Sequence, residues 1–423
     1  MAVLEHSRLE EARAQTLALV EGLSDADLER VHSPLMSPLV WDLGHIAAFE
    51  DLWLGHRHGG LALLRPDLAE VYDAFETPRS QRGDLPYLRR ADALRYLERV
   101  RERVGELSLD EHDPVAELVV RHERQHAETM LQTLALAGLT DWHAPAHDPA
   151  GAVSAPAPPP GASGLDLIEL AGASFPLGTG GDGFAYDNER PEHVEAVGAF
   201  AIGRLAVTNG DWLAFIDDGG YRRREWWSRE GWEWRCREQV ERPLHWLDDV
   251  RERRLTGPAD ILGDMPVVHV SWYEADAFAR GRGLRLPNEA EWELAATFDH
   301  ATAAKRRWPW GEHPPSAAEA NLIESAVFAP LPSAALAAGA SPCGALGMIG
   351  DVWEWTASEF GGYPGFRAHP YREYSEVFFG GGYRVLRGGS FATSALVATP
   401  TFRNWDFPDR RQIFAGVRVA ADR

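Results

Sequence analysis

A run of proline, alanine and glycine in the middle of the chain sets the strongest limit on how it can fold. Residues 143–164 offer little that can pack into a core, and their prolines stiffen the backbone. At 423 residues the chain is also too long for one ordinary hydrophobic core. We therefore predict two domains, residues 1–142 and residues 165–423, joined by a linker over residues 143–164.

The first domain has the hydrophobic periodicity of α-helices. Apolar residues recur every three or four positions in four segments, and helix-start signals precede two of these segments. Four amphipathic helices favour a four-helix bundle. The predicted helices are one with an apolar stripe from Leu9 to Leu23, one opening at the N-cap Ser37 with Pro38 in its first turn, one over roughly 91–107, and one from Asp113-Pro114 to Gly138.

The second domain has a different pattern. Short β-like runs at residues 165–170 and 194–202 are separated by Gly, Pro and Asn turns, and short helices are predicted near residues 209–217 and 271–282. Long stretches between them carry turn residues and aromatic residues without a period. This pattern is typical of an irregular α+β domain, so the chain as a whole is predicted to combine an α domain with an α+β domain.

Charge and cysteine content exclude several classes of function. A net charge of −22 repels phosphate backbones, so we expect no nucleic-acid partner, and no basic amphipathic helix indicates a membrane surface. No apolar run approaches the ~20 residues needed to span a bilayer. Cys236 and Cys343 form no disulfide framework, and the N-terminus has no apolar signal-peptide core. We therefore expect a cytoplasmic protein.

Histidines within the apolar stripes indicate metal chemistry. His122 and His126 are four residues apart, which stacks their imidazoles on one face of the fourth helix. His45 lies within the stripe of the second helix, and facing helices of a bundle are where metal sites are built. Three imidazoles would leave open positions on a transition metal. The alternative is that each histidine is a core residue that donates to a carbonyl.

Other polar residues could bind or protonate a substrate, although each also has a structural explanation. Arg79 and Arg82, three apart in a turn-rich segment, can clamp carboxylates or can form a solvated basic loop. The indole of Trp405 can attract a quaternary ammonium group, or its segment can close a tryptophan-rich core. The further candidates are Gln125 and Asn404 as amide contacts, Asp406 as a carboxylate, and Tyr371 and Tyr374 as proton donors or packing residues. Glu128 could be a fourth metal ligand or a partner of one, but its position two residues past His126 turns it off the histidine face, so we expect it at the surface.

Longer motifs carry a resemblance to known families. These motifs are residues 34–45, His122 with His126, and residues 187–191, 207–209, 266–272, 285–293, 350–355, 387–390, 401–406 and 411–416. The second domain resembles the formylglycine-generating enzymes, whose fold is C-type-lectin-like, and the first resembles a DinB-type four-helix bundle. Their combination resembles the sulfoxide synthases of ergothioneine biosynthesis, the hercynylcysteine S-oxide synthases.

The resemblance implies a specific chemistry. A non-haem Fe(II) ion would use dioxygen to join hercynine (Nα-trimethylhistidine) to a low-molecular-weight thiol and to oxidise the sulfur to a sulfoxide. Three histidines would hold the iron, and separate residues would hold each substrate and donate a proton. The matching residues are His45, His122 and His126 for iron, Gln125, Asn404 and Trp405 for hercynine, Arg79 and Arg82 for the carboxylates of the thiol, Asp406 for its amine, and Tyr371, with Tyr374 as the alternative, for the proton.

The same resemblance leaves the sulfur donor open. Members that use γ-glutamylcysteine look most similar, with cysteine or a selenosugar, as in selenoneine synthesis, as alternatives. Formylglycine-generating enzymes use a late cysteine pair, and this chain has no cysteine after Cys343, so peptide-cysteine oxidation is not expected. An alternative from another functional class is a non-catalytic lectin-like binding module, which would carry no stoichiometric iron and consume no oxygen. The sequence predicts no oligomeric state.

Overall fold

A computed structural model describes residues 2–110, 113–139, 142–144, 163–181, 183–369 and 372–423. The chain divides into two compact units. The N-terminal unit comprises Met1–Pro145 and Asp182–Phe184, and the C-terminal unit comprises Ala146–Gly181 and Ala185–Arg423. The predicted bounds of the linker stay predictions, because most of residues 143–164 lie outside the described ranges.

The N-terminal unit is built from helices, as predicted. Its helices are α1 (Ala2–Ala18), α2 (Asp25–Glu29), α3 (Leu39–Glu50), α4 (Arg90–Val104) and α5 (Pro114–Ala137). Helix α3 continues into π-helical turns over Asp51–His58. Because α3 packs against α4 and α5, and α1 packs against α5, the four longer helices form the predicted bundle.

Local capping signals fix the ends of α5. The carboxylate of Asp113 accepts hydrogen bonds from the backbone N–H groups of Val115 and Ala116, at 2.8 and 3.2 Å. Pro114 follows in the first turn, where its missing N–H costs nothing. Gly138 ends the helix with a φ of 59°, a left-handed conformation that glycine adopts without strain. The predicted start and end of this helix are confirmed.

The start of α3 differs from the prediction. The helix begins at Leu39, and Pro38 rather than Ser37 occupies the cap position. The hydroxyl of Ser37 instead accepts a hydrogen bond of 2.8 Å from the guanidinium of Arg82. A long-range side-chain partner has therefore taken the serine that the local sequence pattern had assigned to the helix end.

A buried ion-pair network joins the four bundle helices, because each helix supplies one charged residue to it. Arg13 from α1 donates to Glu50 from α3 at 2.7 Å and to Glu123 from α5 at 2.8 Å. Arg101 from α4 donates to Glu50 at 2.8 Å. All four residues are buried. Buried charges are tolerated only when they are paired, so this network ties the packing of the helices to one arrangement.

The C-terminal unit mixes short helices and short strands. Its helices are α6 (Asn209–Asp217), α7 (Arg229–Arg237), α8 (Trp272–Gly281) and α9 (Glu289–Thr297). Its strands are β1 (Leu167–Leu170), β2 (Ala173–Leu177), β3 (His193–Val197), β4 (Phe200–Gly203), β5 (Arg251–Arg254), β6 (Gly257–Asp260), β7 (Phe298–Asp299), β8 (Ala304–Lys305), β9 (Trp353–Glu359), β10 (Arg384–Arg387), β11 (Asn404–Asp406), β12 (Ala415–Gly416) and β13 (Ala420–Asp422). Within the described ranges of both units, no helix combines the length and the apolar character needed to cross a membrane.

Two small sheets organise this unit. One has the strand order β1-β4-β13 and is antiparallel throughout. The other has the order β11-β10-β9-β12, with β9 and β12 parallel. Three antiparallel pairs, β2-β3, β5-β6 and β7-β8, complete the described strands. The predicted irregular α+β domain is confirmed, and β11 carries the Asn-Trp-Asp segment singled out above.

Some details of this unit differ from the predictions. Residues 194–202 fall in two strands rather than one, because the extended conformation is interrupted at Gly198 between β3 and β4. These two strands pair with different partner strands. Helices α7 and α9 were not predicted. Asn288 caps the start of α9: its side chain accepts from the N–H of Glu291 while the Glu291 carboxylate accepts from the Asn288 N–H.

Buried arginines hold the long loops of the C-terminal unit. Arg403 pairs with both oxygens of Glu289 at 2.7 and 2.9 Å, and Arg418 pairs with Glu354 at 2.7 Å. Both guanidinium groups also donate to backbone carbonyls of distant loops, including that of Asn188. Because buried carbonyls need partners, these arginines take the place of regular sheet hydrogen bonds in a fold with much irregular backbone.

Candidate metal centre

Three histidines meet in the N-terminal unit, between α3 and α5. His45 projects from α3, and His122 and His126 project from α5. One nitrogen from each ring can be chosen so that all three lie within 4.8 Å of one another. The ring centroids are 4.5 to 4.9 Å apart. Among the described residues, this is the single group of three or more histidine, cysteine or acidic side chains close enough to share a metal ion.

Hydrogen bonds fix the tautomers of two of these rings. Nδ1 of His45 lies 2.8 Å from the carbonyl oxygen of Tyr72, and Nδ1 of His126 lies 3.1 Å from Oδ1 of Asp42. Carbonyl and carboxylate oxygens only accept, so each Nδ1 carries the proton and each Nε2 keeps its lone pair. This carboxylate–histidine arrangement is the one that orients metal-binding imidazoles.

The backbone beside His45 allows the Tyr72 contact. A Cβ atom built on Gly44 would lie 2.1 Å from the Tyr72 hydroxyl oxygen, so only glycine leaves room for that side chain. The same hydroxyl accepts a hydrogen bond of 2.9 Å from the N–H of Leu88. The loop after α3 is thereby held against the helix at the level of His45.

Burial keeps His45 and His122 neutral. It lowers the pKa of His45 and of His122 well below the ordinary value, and the nearby charge of a protonated His126 lowers both further. Neutral imidazole is the form that binds metals. Nε2 of His45 lies 3.1 Å from Nε2 of His122. Because Nε2 of His45 keeps its lone pair, this contact is a hydrogen bond when Nε2 of His122 carries the proton, and a cation between the two nitrogens would replace that proton.

Aromatic side chains pack against two of the three histidines. Trp41 stacks on His45 with ring centroids 4.9 Å apart and an interplanar angle of 11°. Phe49 stacks on His122 at 3.6 Å and 6°. Three imidazole nitrogen donors in such a setting suit a first-row transition metal, and with three protein donors further coordination positions stay open. The residues present therefore fit a catalytic metal.

Two acidic residues near the histidines were misjudged or missed. Glu128 was expected at the surface, but it is only 7% exposed, because the α5 face that carries it also packs inside the unit. Asp42 was missed, although it accepts from His126 and its second oxygen, Oδ2, is buried with no hydrogen-bond partner among the described residues. An acidic residue three positions before His45 in an otherwise apolar helix was the available signal.

The two candidate arginines of the N-terminal unit differ in their surroundings. Arg82 is buried, stacks over Trp41 at 3.9 Å, and donates to the carbonyls of Thr77 and Ala74 at 2.9 Å as well as to Ser37. Arg79 is partly exposed, its guanidinium approaches the sulfur of Met36 at 3.9 Å, and no carboxylate pairs with it among the described residues. Arg79 is thus the freer of the two for binding an anion.

The candidates of the C-terminal unit gather on β11. Trp405 stacks on Phe360 at 4.1 Å and 7°, and Tyr374 meets its ring edge-on at 5.9 Å. Oδ1 of Asn404 accepts from the Trp405 N–H at 2.9 Å. Asp406 accepts from the side-chain NH₂ group of Gln412 at 3.2 Å, and the amide oxygen of Gln412, Oε1, is buried without a partner among the described residues.

Tyr371 and Gln125 are the remaining candidate residues. Tyr371 lies outside the described residues, so its role stays a prediction. Gln125 is partly buried on α5 between His122 and His126, and its carbonyl oxygen accepts from the Thr129 hydroxyl at 3.2 Å. Both cysteines, Cys236 and Cys343, are free thiols.

Known proteins resemble both parts of the chain. The DinB superfamily model matches residues 8–130, and the model described as a sulfatase-modifying factor enzyme 1-like domain matches residues 154–423. The hercynine oxygenase of Mycolicibacterium thermoresistibile is 47% identical over 98% of this chain and 94% of its own length. That of Mycobacterium tuberculosis is 47% identical over 98% and 97%. The formylglycine-generating enzyme of Streptomyces coelicolor is 31% identical over 53% of this chain and 78% of its own.

Proposed function

Because this chain belongs to the hercynine oxygenase family, we propose that it is an Fe(II)- and O₂-dependent sulfoxide synthase of ergothioneine biosynthesis. In this proposal it joins the imidazole carbon between the two ring nitrogens of hercynine to the sulfur of γ-glutamylcysteine, and it oxidises that sulfur. The observation that carries the proposal beyond the family name is the group formed by His45, His122 and His126, with two tautomers already set for metal binding.

The overall reaction balances without a further co-substrate. One C–H bond and one S–H bond break, and a C–S bond and a sulfur–oxygen bond form. The two organic substrates together supply four electrons, which reduce dioxygen fully. One oxygen atom stays on the sulfur, and the other leaves as water with the two hydrogens.

The N-terminal unit would hold the metal. Bound to the three imidazoles, a ferrous ion supplies the redox chemistry for dioxygen and leaves positions for a substrate imidazole and a thiolate. Other groups of the protein orient the imidazoles and shield them from water. The Tyr72 carbonyl and Asp42 orient two of the rings, while Trp41 and Phe49 keep water from their faces.

We assign hercynine to Gln125, Asn404 and Trp405. A trimethylammonium group cannot donate a hydrogen bond, so it is recognised by an aromatic face, and the stack on Phe360 holds the Trp405 indole in one orientation. The Asn404 carbonyl oxygen is occupied by the backbone, which leaves its NH₂ group to donate to a carboxylate. Gln125 is the second amide assigned to that carboxylate.

We assign the thiol substrate to Arg79, Arg82 and Asp406. γ-Glutamylcysteine carries two carboxylates and one amine, so two guanidinium groups and one carboxylate match its charges. Asp406 already accepts from Gln412, and the unpartnered Oε1 of Gln412 gives an ammonium group a second acceptor beside it. Tyr371 is the proposed proton donor that favours sulfoxide formation over oxidation of the thiol alone, and Tyr374, which lies against Trp405, is the alternative.

Cysteine is the second candidate donor, and one observation favours it. Three of the five N–H groups of Arg82 are already spent on Ser37, Ala74 and Thr77, which leaves Arg79 as the more available cation. A single free arginine matches the single carboxylate of cysteine. Arg79→Ala separates the donors: a rise in KM for γ-glutamylcysteine much larger than the rise for cysteine supports the dipeptide, and equal rises support cysteine.

Anaerobic reconstitution tests the proposal directly. The metal-free chain is loaded with Fe(II) under argon, mixed with hercynine and a panel of thiols, and exposed to O₂, with products identified by mass. We expect stoichiometric iron, oxygen consumption, and a product whose mass is that of the two substrates plus O₂ minus H₂O. Oxygen consumption absent after iron loading would contradict the enzymatic proposal, and absence of both stoichiometric iron and oxygen consumption would favour a binding module.

A further inference from the structure

One turn of the C-terminal unit contacts both segments that carry proposed substrate residues. This turn, formed by Tyr186, Asp187, Asn188 and Glu189, is a short 3₁₀ segment, and all four residues are at most 3% exposed. We call it the 186–189 turn. Its contacts fall on the segment around Tyr374 on one side and on the segment leading into β11 on the other.

Asp187 anchors the tyrosine segment at two points. Its Oδ1 accepts a hydrogen bond of 2.5 Å from the hydroxyl of buried Ser375, and its Oδ2 accepts one of 3.3 Å from the backbone N–H of His369. Residues 369 and 375 bracket, in the sequence, both tyrosines proposed as proton donors. A single carboxylate thus fixes both ends of the stretch that carries them.

The neighbouring residue of the turn orients one of these tyrosines. Tyr186 stacks on Tyr374 with centroids 4.4 Å apart and an interplanar angle of 4°. Tyr374 also makes a T-shaped contact with Trp405, the indole assigned to the trimethylammonium group, with ring centroids 5.9 Å apart. Tyr186 also meets Phe402 edge-on at 5.4 Å. The phenol ring is therefore held between the turn and the β11 indole.

The other half of the turn holds the chain that leads into β11. The carbonyl oxygen of Asn188 accepts from the guanidinium of Arg403 at 2.8 Å, and the Glu189 carboxylate accepts from the hydroxyl of Thr401. Because both segments are attached to the same four residues, the distance between Tyr374 and Trp405 is set by the turn.

Asp187 is a buried carboxyl group, which costs more to bury than the side chains that packing alone would favour. Burial raises the pKa of this carboxyl, and the hydrogen bonds from Ser375 and the His369 N–H act in the opposite direction. No arginine or lysine lies within ion-pairing distance of it among the residues that the structure describes. A buried carboxylate costs more than a buried amide, but as an acceptor it makes shorter and stronger hydrogen bonds.

We propose that Asp187 is a positioning residue, which fixes the orientation of the tyrosine segment and thereby sets the ratio of sulfoxide to thiol-oxidation products. This inference rests on the proposed function for its second half, whereas its first half concerns the protein alone. Asp187 contacts neither substrate nor metal in this scheme. It acts through Ser375, whose hydroxyl donates to it, and through Tyr374, which precedes Ser375 and stacks on the ring of Tyr186.

The test uses three variants of the full-length chain. Asp187→Ala removes both anchors, Ser375→Ala removes one of them by a milder change, and Asp187→Asn keeps one acceptor oxygen and serves as the conservative variant. Asp276→Ala is the matched control, since burial also raises the pKa of Asp276, but this aspartate pairs with Arg280 on α8. Hydrogen exchange of a peptide covering residues 372–378 is compared with exchange of α9 in the metal-free chain.

We expect exchange over residues 372–378 to rise roughly ten- to a hundredfold in Asp187→Ala and Ser375→Ala, less in Asp187→Asn, and not in the control. With iron and substrates, the sulfoxide share of the products should fall by roughly tenfold in the first two variants, while iron content stays unchanged.

Unchanged exchange in both alanine variants overturns the anchoring, and raised exchange with an unchanged product ratio overturns the role in the reaction. If the wild-type chain forms no sulfoxide, the proposed function fails and the exchange data still decide the anchoring. If Asp187→Ala unfolds throughout, Ser375→Ala decides.

Discussion

At the scale of single residues, orientation of the histidines depends on groups that bind no metal themselves. Asp42 accepts from His126 through one oxygen, while the Tyr72 carbonyl accepts from His45. Each partner removes one tautomer from its ring, so the metal-binding nitrogen is prepared before an ion arrives. The carboxylate of Asp42 also offers negative charge to a cation at the centre.

We expect Asp42→Ala to weaken metal binding by about 10- to 100-fold, because the loss of an orienting partner leaves the His126 ring free to rotate or to change tautomer. Anaerobic titration with Fe(II) measures the affinity. Asp92→Ala, which removes an exposed aspartate of α4, is the control and should bind as the wild type does. An unchanged affinity in Asp42→Ala would remove this carboxylate from the metal site.

A second prediction at this scale concerns Asp351. Burial raises the pKa of Asp351 to about 6, so the folded state holds a proton more tightly than the unfolded chain does. The stability gained from that proton is complete below about pH 4 and is lost as the pH rises through about 6. Asp351→Asn keeps an oxygen for Asn321 and Leu331, and its φ of 65° suits asparagine.

Asp351→Asn should therefore raise the free energy of unfolding by about 1–3 kcal/mol at about pH 7.5, with the gain shrinking to nothing near pH 4. Urea unfolding at several pH values measures this difference. Asp217→Asn, a change at an exposed aspartate of α6, should show a small difference that does not vary with pH. A gain that grows toward acidic pH would have the wrong sign.

At the scale of secondary-structure elements, the bundle that positions the histidines is held by charges as well as by apolar packing. Glu50 at the end of α3 is fully buried and receives hydrogen bonds from Arg13 on α1 and Arg101 on α4. Glu123 on α5 completes the network one residue after His122. Helix α5, which carries two of the three proposed metal ligands, is thus tied to the helices that surround it.

Glu50→Ala should lower the free energy of unfolding by about 3–5 kcal/mol, because it leaves two arginines buried without their shared partner. Urea unfolding followed by circular dichroism gives the value. The exposed pair of Asp92 and Arg95 on α4 supplies the comparison, and Asp92→Ala should cost less than about 1 kcal/mol. Equal losses in the two variants would show that the buried network adds no more than a surface pair.

The sequence predicted those elements whose signals are local. The Asp113-Pro114 start and the Gly138 end of α5 follow from backbone groups within one turn, and the spacing of His122 and His126 follows from helix geometry. Ser37 and Glu128 were misjudged because distant neighbours decide their surroundings. Asp42 was missed for the same reason, since its partner is 84 positions away.

At the scale of the whole molecule, the proposed metal ligands all belong to the N-terminal unit, whereas both candidate tyrosines belong to the C-terminal unit. Metal loading can therefore be followed separately from substrate recognition. The linker over residues 143–164 remains our proposal for the connection between the two domains. The motifs quoted for the C-terminal domain could predict its family, but not the contacts of the 186–189 turn, which join residues more than 180 positions apart.

Fe(II) added under argon should slow hydrogen exchange in α3 and α5 and leave the sheets of the C-terminal unit unchanged. A ligand at a hundredfold excess over its Kd stabilises the state that binds it by about 2.7 kcal/mol. His122→Ala should abolish the effect, whereas His56→Ala, at an exposed position of the π-helical turns, should retain it. Equal protection of both units would mean that the metal binds elsewhere.

The loop after α3 connects the arginines proposed to bind the thiol with one of the proposed iron ligands. The chain segment that carries Arg79 and Arg82 also supplies the Tyr72 carbonyl that orients His45, and Arg82 lies on the indole that covers the same imidazole. Remodelling this loop to accept another thiol would also turn a ligand of the metal. Engineered or inherited changes of donor in such an enzyme should thus arrive together with a shift in its redox potential.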